Sequence, residues 1–335
     1  MNKIGKQTLL YKNKPCLLGG YAVVGPKEGQ GNFGKYFQTV LKDDLFGENS
    51  YEAAESKMIQ TSFYGAVDDA GIRNVDVDVF VAGDLMNQIV SSSFAARSFD
   101  VPYLGMFGAC STMAESMLVG AALVDGGFAR IVACATASHF SSVEKQFRYP
   151  LELGTQRPPT SQWTVTAAGC SILSEHGSNI IVESSTIGKV VDWDVKDVNN
   201  MGAAMAPAAV ETLKAHLSDM GRSPDEYDLI LTGDLGKLGS EILFDLAEYN
   251  GIKLGNNYCD CGQMMYTNEQ KTFMGGSGCG CIASVINSYV LSRMRKGELR
   301  NVLLIATGAL MSTTSSQQGN SIPCIAHAVV LKRRD

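Results

Sequence analysis

Short apolar runs alternate along the chain with longer stretches whose apolar positions recur every three or four residues. This alternation predicts strands and helices in turn. Residues 15–24 read as an opening strand, followed by a long exposed loop over 25–47 carrying Gly25, Gly29, Gly31 and Gly34. Asn49 and Glu52 have the spacing of a capping box, and a helix follows through Met58, Ala66 and Val67 to Gly71. Residues 78–85 form a strand ending in a Gly-Asp turn, then a short helix spans 92–99. Residues 101–106 read as a buried strand. The next helix carries Met113, Met117, Leu118, Ala121 and Val124 and stops at Gly126-Gly127. A buried strand over 130–137 delivers Ser138-His139, a polar loop covers 140–160, and strands follow over 163–174 and 179–187.

After an Asp/Asn-rich loop at 192–200 the pattern restarts. It predicts a helix over 201–220, begun or kinked by Pro207, a strand over 227–234 and a helix over 237–249. An irregular insertion (251–274), a glycine-rich helix start at 275–281 and strands at 301–307 and 322–331 complete it. The restart is a repeat. Val81-Ala82-Gly83-Asp84-Leu85 returns as Leu231-Thr232-Gly233-Asp234-Leu235, and Arg130-Ile131-Val132-Ala133-Cys134-Ala135-Thr136 as Asn301-Val302-Leu303-Leu304-Ile305-Ala306-Thr307. The step from 130 to 301 also carries Cys110 to Cys281. Tandem strand–helix units predict two similar halves, 1–178 and 179–335, with a site where they meet.

Composition narrows the picture. The 335 residues are 45% apolar and 19% charged, ordinary values for a globular chain with a sizeable core. A net charge of −6 argues against a nucleic-acid binder, which needs a basic face. Nine cysteines, an odd number scattered through apolar segments without a signal peptide, read as reduced thiols of a soluble intracellular protein. No apolar stretch approaches the ~18–20 residues that span a bilayer.

Candidate chemistry gathers at Phe107-Gly108-Ala109-Cys110-Ser111-Thr112, where a strand opens into a helix. Helix-start N–H groups and the helix dipole favour the thiolate, so the Cys110 thiol is expected below its ordinary pKa. The same N–H groups would suit a carboxylate. His327 in the final strand and His139 at a strand end are further candidates, Arg148 and Lys189 could neutralise an anion, and His176 and His216 read as surface residues. Cys259-x-Cys261 and Cys279-x-Cys281 lack C-x₂-C spacing, so no metal site is expected. The glycine run at 275–280 lacks the Lys-Ser/Thr of a phosphate loop and reads as close backbone packing.

Several longer stretches carry a resemblance that covers essentially the whole chain. They include Met106-Phe107-Gly108-Ala109-Cys110-Ser111-Thr112, Gln146-Phe147-Arg148-Tyr149-Pro150, Tyr227-Asp228-Leu229-Ile230-Leu231-Thr232-Gly233-Asp234, Gly275-Gly276-Ser277-Gly278-Cys279 and Ala306-Thr307-Gly308-Ala309-Leu310. The chain resembles the thiolase and ketoacyl synthase superfamily, and within it the stage V sporulation protein AD family. The resemblance implies an α/β, thiolase-like fold of duplicated βαβαβ halves layered α/β/α/β/α. It also implies binding of dipicolinic acid (pyridine-2,6-dicarboxylate) during its uptake into the developing spore, without a cofactor. The expected partners are the other stage V sporulation A membrane proteins at the spore inner membrane, and a second copy of the chain paired near residues 101–106.

A condensing enzyme of this superfamily needs a histidine where this chain has Gly233-Asp234, and an asparagine where it has Gly276 or Ser277. With both replaced, the expectation is a binding protein whose ligand contacts come from Cys110, His327, His139, Arg148, Ser277 and Gly276. An ionised Asp234 would raise the Cys110 pKa, against the helix dipole. The alternative is an acyltransferase or condensing enzyme using Cys110 with His327 or His139.

Overall fold

A computed structural model describes residues 3–147 and 156–335. Its principal strands in the first half are β1 (Cys16–Val24), β2 (Val79–Asp84), β3 (Tyr103–Gly105), β4 (Ile131–Ser138) and β5 (Ala167–Ser174). Those of the second are β6 (Ile180–Thr186), β7 (Leu229–Thr232), β8 (Tyr258–Asp260), β9 (Asn301–Ala309) and β10 (Cys324–Arg333). The first sheet runs β3-β2-β4-β5-β1 and the second β8-β7-β9-β10-β6, the same order twice. They meet where Ile181 pairs with Cys16.

Side-chain alternation along each strand builds the layers. In β2, Val81 points to a central core while Phe80 and Ala82 point to an outer one; in β9, Leu304 and Ala306 point inward while Leu303 and Ile305 point outward. Helix α1 (Tyr51–Asp69) covers the first sheet through Met58, Ile59 and Phe63. The central layer holds α2 (Thr112–Asp125) and a second helix that starts at Cys279 and runs to Arg295 through a widened turn at 286–290. Helix α3 (Met201–Met220) covers the second sheet through Met205, Ala209 and Leu213. This is the expected α/β/α/β/α stack. Both faces of each sheet are covered, which explains the near-continuous apolar strand sequences.

Local departures have local causes. Ser50, not Asn49, caps α1, its side chain accepting from Ala53 N at 3.2 Å. Pro207 lies within α3 rather than at its start, and buried Met205, Ala208 and Ala209 hold the helix through it. The stretch at 101–106 is a three-residue edge strand with Leu104 44% exposed, not a buried one, because among the described residues β3 pairs only with β2. The 251–274 insertion is ordered: it supplies edge strand β8 and a short helix, Cys261–Met265, capped by Asp260. Among the described residues, no helix is long and apolar enough to cross a membrane.

Candidate functional site

The carboxyl ends of β2, β7 and β9 converge with the start of α2 near the interface of the halves, where open α/β sheets place their sites. Ala109 takes the left-handed conformation (φ 51°) and turns the chain into α2. Thr112 Oγ1 accepts from Gly108 N at 3.0 Å and donates to Ala109 O at 2.6 Å. The Ser111 and Thr112 N–H groups close back on Gly108 O and Ala109 O at 3.1 and 3.2 Å. These two helix-start donors are therefore spent inside the turn, and the expected carboxylate cradle is not formed by them. Gly308 of β9 faces this turn at van der Waals range; any Cβ there would overlap the Gly108 carbonyl.

Behind Cys110 lies Asp234, buried, at the end of β7. Its carboxylate accepts from Thr307 Oγ1 at 2.6 Å, Ser277 Oγ at 3.2 Å and Gly278 N at 3.3 Å, and from the Cys110 thiol. Burial pushes Asp234 up to about 6 against these donors. Burial first, and the Asp234 charge second, raise the Cys110 thiol well above its ordinary value. The sequence expectation of a lowered thiol pKa is thus corrected. A helix end contributes a partial charge, whereas desolvation and a full carboxylate act on the sulfur directly.

Half-buried Cys110 opens into a cavity of about 200 Å³. Apolar walls come from Leu85, Phe107, Val143, Met201, Met205 and Met311; Thr164, Asn199, Ser277 and Gln317 supply polar contacts. Glu144 also lines it, held by Arg157 at 3.0 Å with both side chains buried. Gln162 lies at its inner side, its Nε2 donating to Asp234 O at 2.5 Å and Gly276 O at 3.0 Å. Ser277 is placed by a two-residue strand, Gly276–Ser277, paired in parallel with Trp163–Thr164.

The structure therefore brings Cys110 and Ser277 together at the cavity. Gly276 stands just behind, its carbonyl taken by Gln162. His139 is buried away from the cavity: its Nδ1 accepts from Ser141 N at 3.1 Å, leaving Nε2 to donate to Asp44 O at 2.7 Å. Burial lowers its pKa, consistent with a neutral ring. His327 accepts from Gly188 N at 3.2 Å, and burial lowers it to about 4; it does not line the cavity. Arg148 lies outside the described residues. Lys189 is exposed on another face, and His176 is exposed as expected. His216 is instead fully buried, bonded at 2.7 Å to both Thr186 Oγ1 and Tyr227 OH. Of the four candidate metal-binding cysteines, Cys261, Cys279 and Cys281 are buried; among the described residues no three potential metal-ligating side chains converge.

Sequence reading missed Gln162, Thr307, the Glu144–Arg157 pair and the segment around Met311 to Gln317. Only Thr307 carried a usable signal, because it repeats Thr136 in the matching strand of the other half.

The fold and this strand–cysteine–helix junction define a protein of the thiolase-like class. A 3-oxoacyl-[acyl-carrier-protein] synthase III from Aquifex aeolicus VF5 superposes with a TM-score of 0.57 at 11% identity, over 95% of this chain and 99% of that one. Cerulenin-bound OleA from Xanthomonas campestris superposes with a TM-score of 0.62 at 12% identity, over 96% and 98%. Within that class the chain belongs to the stage V sporulation protein AD (SpoVAD) family, whose family model matches residues 5–332. The stage V sporulation protein AD of Bacillus subtilis (strain 168) is 42% identical over 333 residues, covering 99% of this chain and 98% of the relative.

Proposed function

We propose that this chain is a non-enzymatic sporulation protein that binds pyridine-2,6-dicarboxylate in the Cys110 cavity for its uptake into the developing spore. Family membership supplies the sporulation context; the resemblance in sequence supplies the ligand. The observation that carries binding over catalysis is the Cys110–Asp234 contact. A condensing enzyme needs a thiolate and a proton-handling partner, whereas this thiol donates to a buried carboxylate and is held protonated. A mostly apolar cavity of about 200 Å³ suits one small ring rather than a long acyl chain with its carrier.

Calorimetric titration of the purified protein with pyridine-2,6-dicarboxylate and close analogues tests this. Saturable binding is expected, and Cys110→Ala should retain it. Absent binding combined with acyl-CoA-dependent labelling of Cys110 would replace this reading with acyl transfer. We also propose pairing of two copies through β3, whose outer edge is unpaired among the described residues and which presents Leu104, with Phe107 just beyond it, 44% and 50% exposed. The other stage V sporulation A membrane proteins are the proposed partners at the spore inner membrane.

A further inference from the structure

The inner end of the cavity holds a negative charge, and the donors nearest it are engaged by that charge. Both Gln162 Nε2 contacts go to backbone carbonyls, and its Oε1 is buried without a partner. Ser277 and Cys110, two of the donors that line the cavity, both turn to the Asp234 carboxylate behind them. The ionisable groups acting on Asp234 give no relief. They are Asp260 from β8, Cys110 from the α2 turn, Cys261, Cys279 and Cys281 from two helix starts, and Cys324 from β10. Asp260 is itself buried and bonded to Thr232 Oγ1 at 2.7 Å and to the N–H groups of Leu235, Gly236 and Gln263 at 2.9 Å. Beside Gln162 the Glu144 charge is balanced by Arg157, whose Nη2 also donates to Gln162 O at 2.6 Å. A dianion entering this space therefore meets the Asp234 carboxylate, with the described cation Arg157 already paired to Glu144, in a setting where like charges repel strongly.

We infer that the cavity binds its dicarboxylate with uptake of one proton by Asp234, which turns the Ser277 hydroxyl from Asp234 to the ligand. This rests on the dicarboxylate reading above. The proton comes from solvent and forms a carboxylic O–H on Asp234. That O–H donates to Ser277 Oγ, reversing the present 3.2 Å hydrogen bond, and Ser277 then donates into the cavity. The Cys110 thiol is released by the same step. One proton removes a repulsion and supplies two donors. Because burial already holds Asp234 near 6, an arriving dianion has a small gap to close at neutral pH.

The test is calorimetric titration with pyridine-2,6-dicarboxylate in two buffers of equal pH and different ionisation enthalpy, repeated over a pH series. The observed heat should vary with buffer enthalpy by one proton taken up, and Kd should weaken about tenfold per pH unit above neutrality. Asp234→Asn should still bind, with the buffer dependence abolished. Saturable binding with no buffer dependence and a flat pH profile would overturn the inference and leave the dicarboxylate reading standing. A buffer dependence that survives Asp234→Asn would overturn its assignment to Asp234. No saturable binding at any pH would overturn the dicarboxylate reading, and the inference with it.

Discussion

Cys110 and Cys281 occupy matching places in the two halves, and their surroundings differ. Cys110 precedes its helix by two residues, on a left-handed turn, and opens into the cavity. Cys281 is the third residue of its helix and is fully buried in the central core. The same divergence affects the repeated Gly-Asp turns. Asp84 spends its carboxylate locally, on Met86 N at 2.8 Å and Ser92 N at 2.7 Å, whereas Asp234 reaches Thr307, Ser277 and Cys110. The repeated threonines follow suit: Thr136 bonds Cys279 O at 3.0 Å and Thr307 bonds Asp234. The second half closes its own junction around Cys281 and lends its strand end, through Asp234, to the site of the first. Duplication provides two junctions of similar chemistry, and packing keeps one open.

The largest expected effect lies on the closed side. A Cβ at Gly280 would overlap the Ala167 carbonyl, a backbone atom that cannot swing aside. Gly280→Ala should cost about 4 kcal/mol, read as a lower urea midpoint. Wild-type stability would show the closed junction to be looser than described.

Next is the pH response of the same region. Glu28 bonds Tyr266 and accepts from Thr166 N at 3.1 Å, and burial raises it to about 7. Tyr266 in turn lies in the field of Cys281. A raised carboxyl stabilises the fold while protonated, so its contribution is complete below about pH 4.5 and disappears as pH rises through about 7. The amount is about 3 kcal/mol. His216 and His327, each lowered to about 4, act oppositely, losing their contribution as pH falls from about 6.5 through 4. Glu28→Gln should flatten the loss between about pH 5 and 7 in urea melts; an unchanged profile would remove Glu28 from the account.

Substituting each cysteine by serine measures the contrast itself. Cys281→Ser buries a hydroxyl in the apolar core and should cost about 2 kcal/mol, while Cys110→Ser, beside Asp234 and Ser277, should cost less than about 1. Equal costs would erase the distinction. The smallest effect is on reactivity: Asp234→Asn removes the charge opposing the Cys110 thiolate. Its alkylation by iodoacetamide at neutral pH should rise about tenfold, with Cys281 remaining protected, as resolved by peptide mapping. An unchanged rate would mean burial alone holds the Cys110 proton.

Much of this was legible along the chain. The apolar runs located nine of the ten numbered strands; the short strands Lys3–Ile4, Thr8–Leu10 and Thr39–Val40 of the same sheets left no readable pattern. The tenth, β8, lay in the insertion at 251–274, whose Gly, Asn and Cys content masks a three-residue edge strand. The stop of α2 at Gly126-Gly127 was readable because a left-handed Gly127 (φ 71°) is a local requirement. His216 was misread as exposed, since its partners Thr186 and Tyr227 come from other elements and leave no local pattern. Gln162 and Arg157 were invisible because their roles arise only where a connecting segment passes under the cavity.

The sequence by itself determined the alternation of strands and helices, the two matched halves and the placing of a cysteine at each central helix start. These follow from periodicity and turn chemistry over a few residues. Only the tertiary structure decided which cysteine meets a cavity, that the helix-start donors are spent on their own turn, and that Asp234 holds the Cys110 proton. Exposure and pKa are set by what stands within a few ångströms, and around Cys110 those neighbours come from Asp234, Ser277 and Thr307 in the other half of the chain.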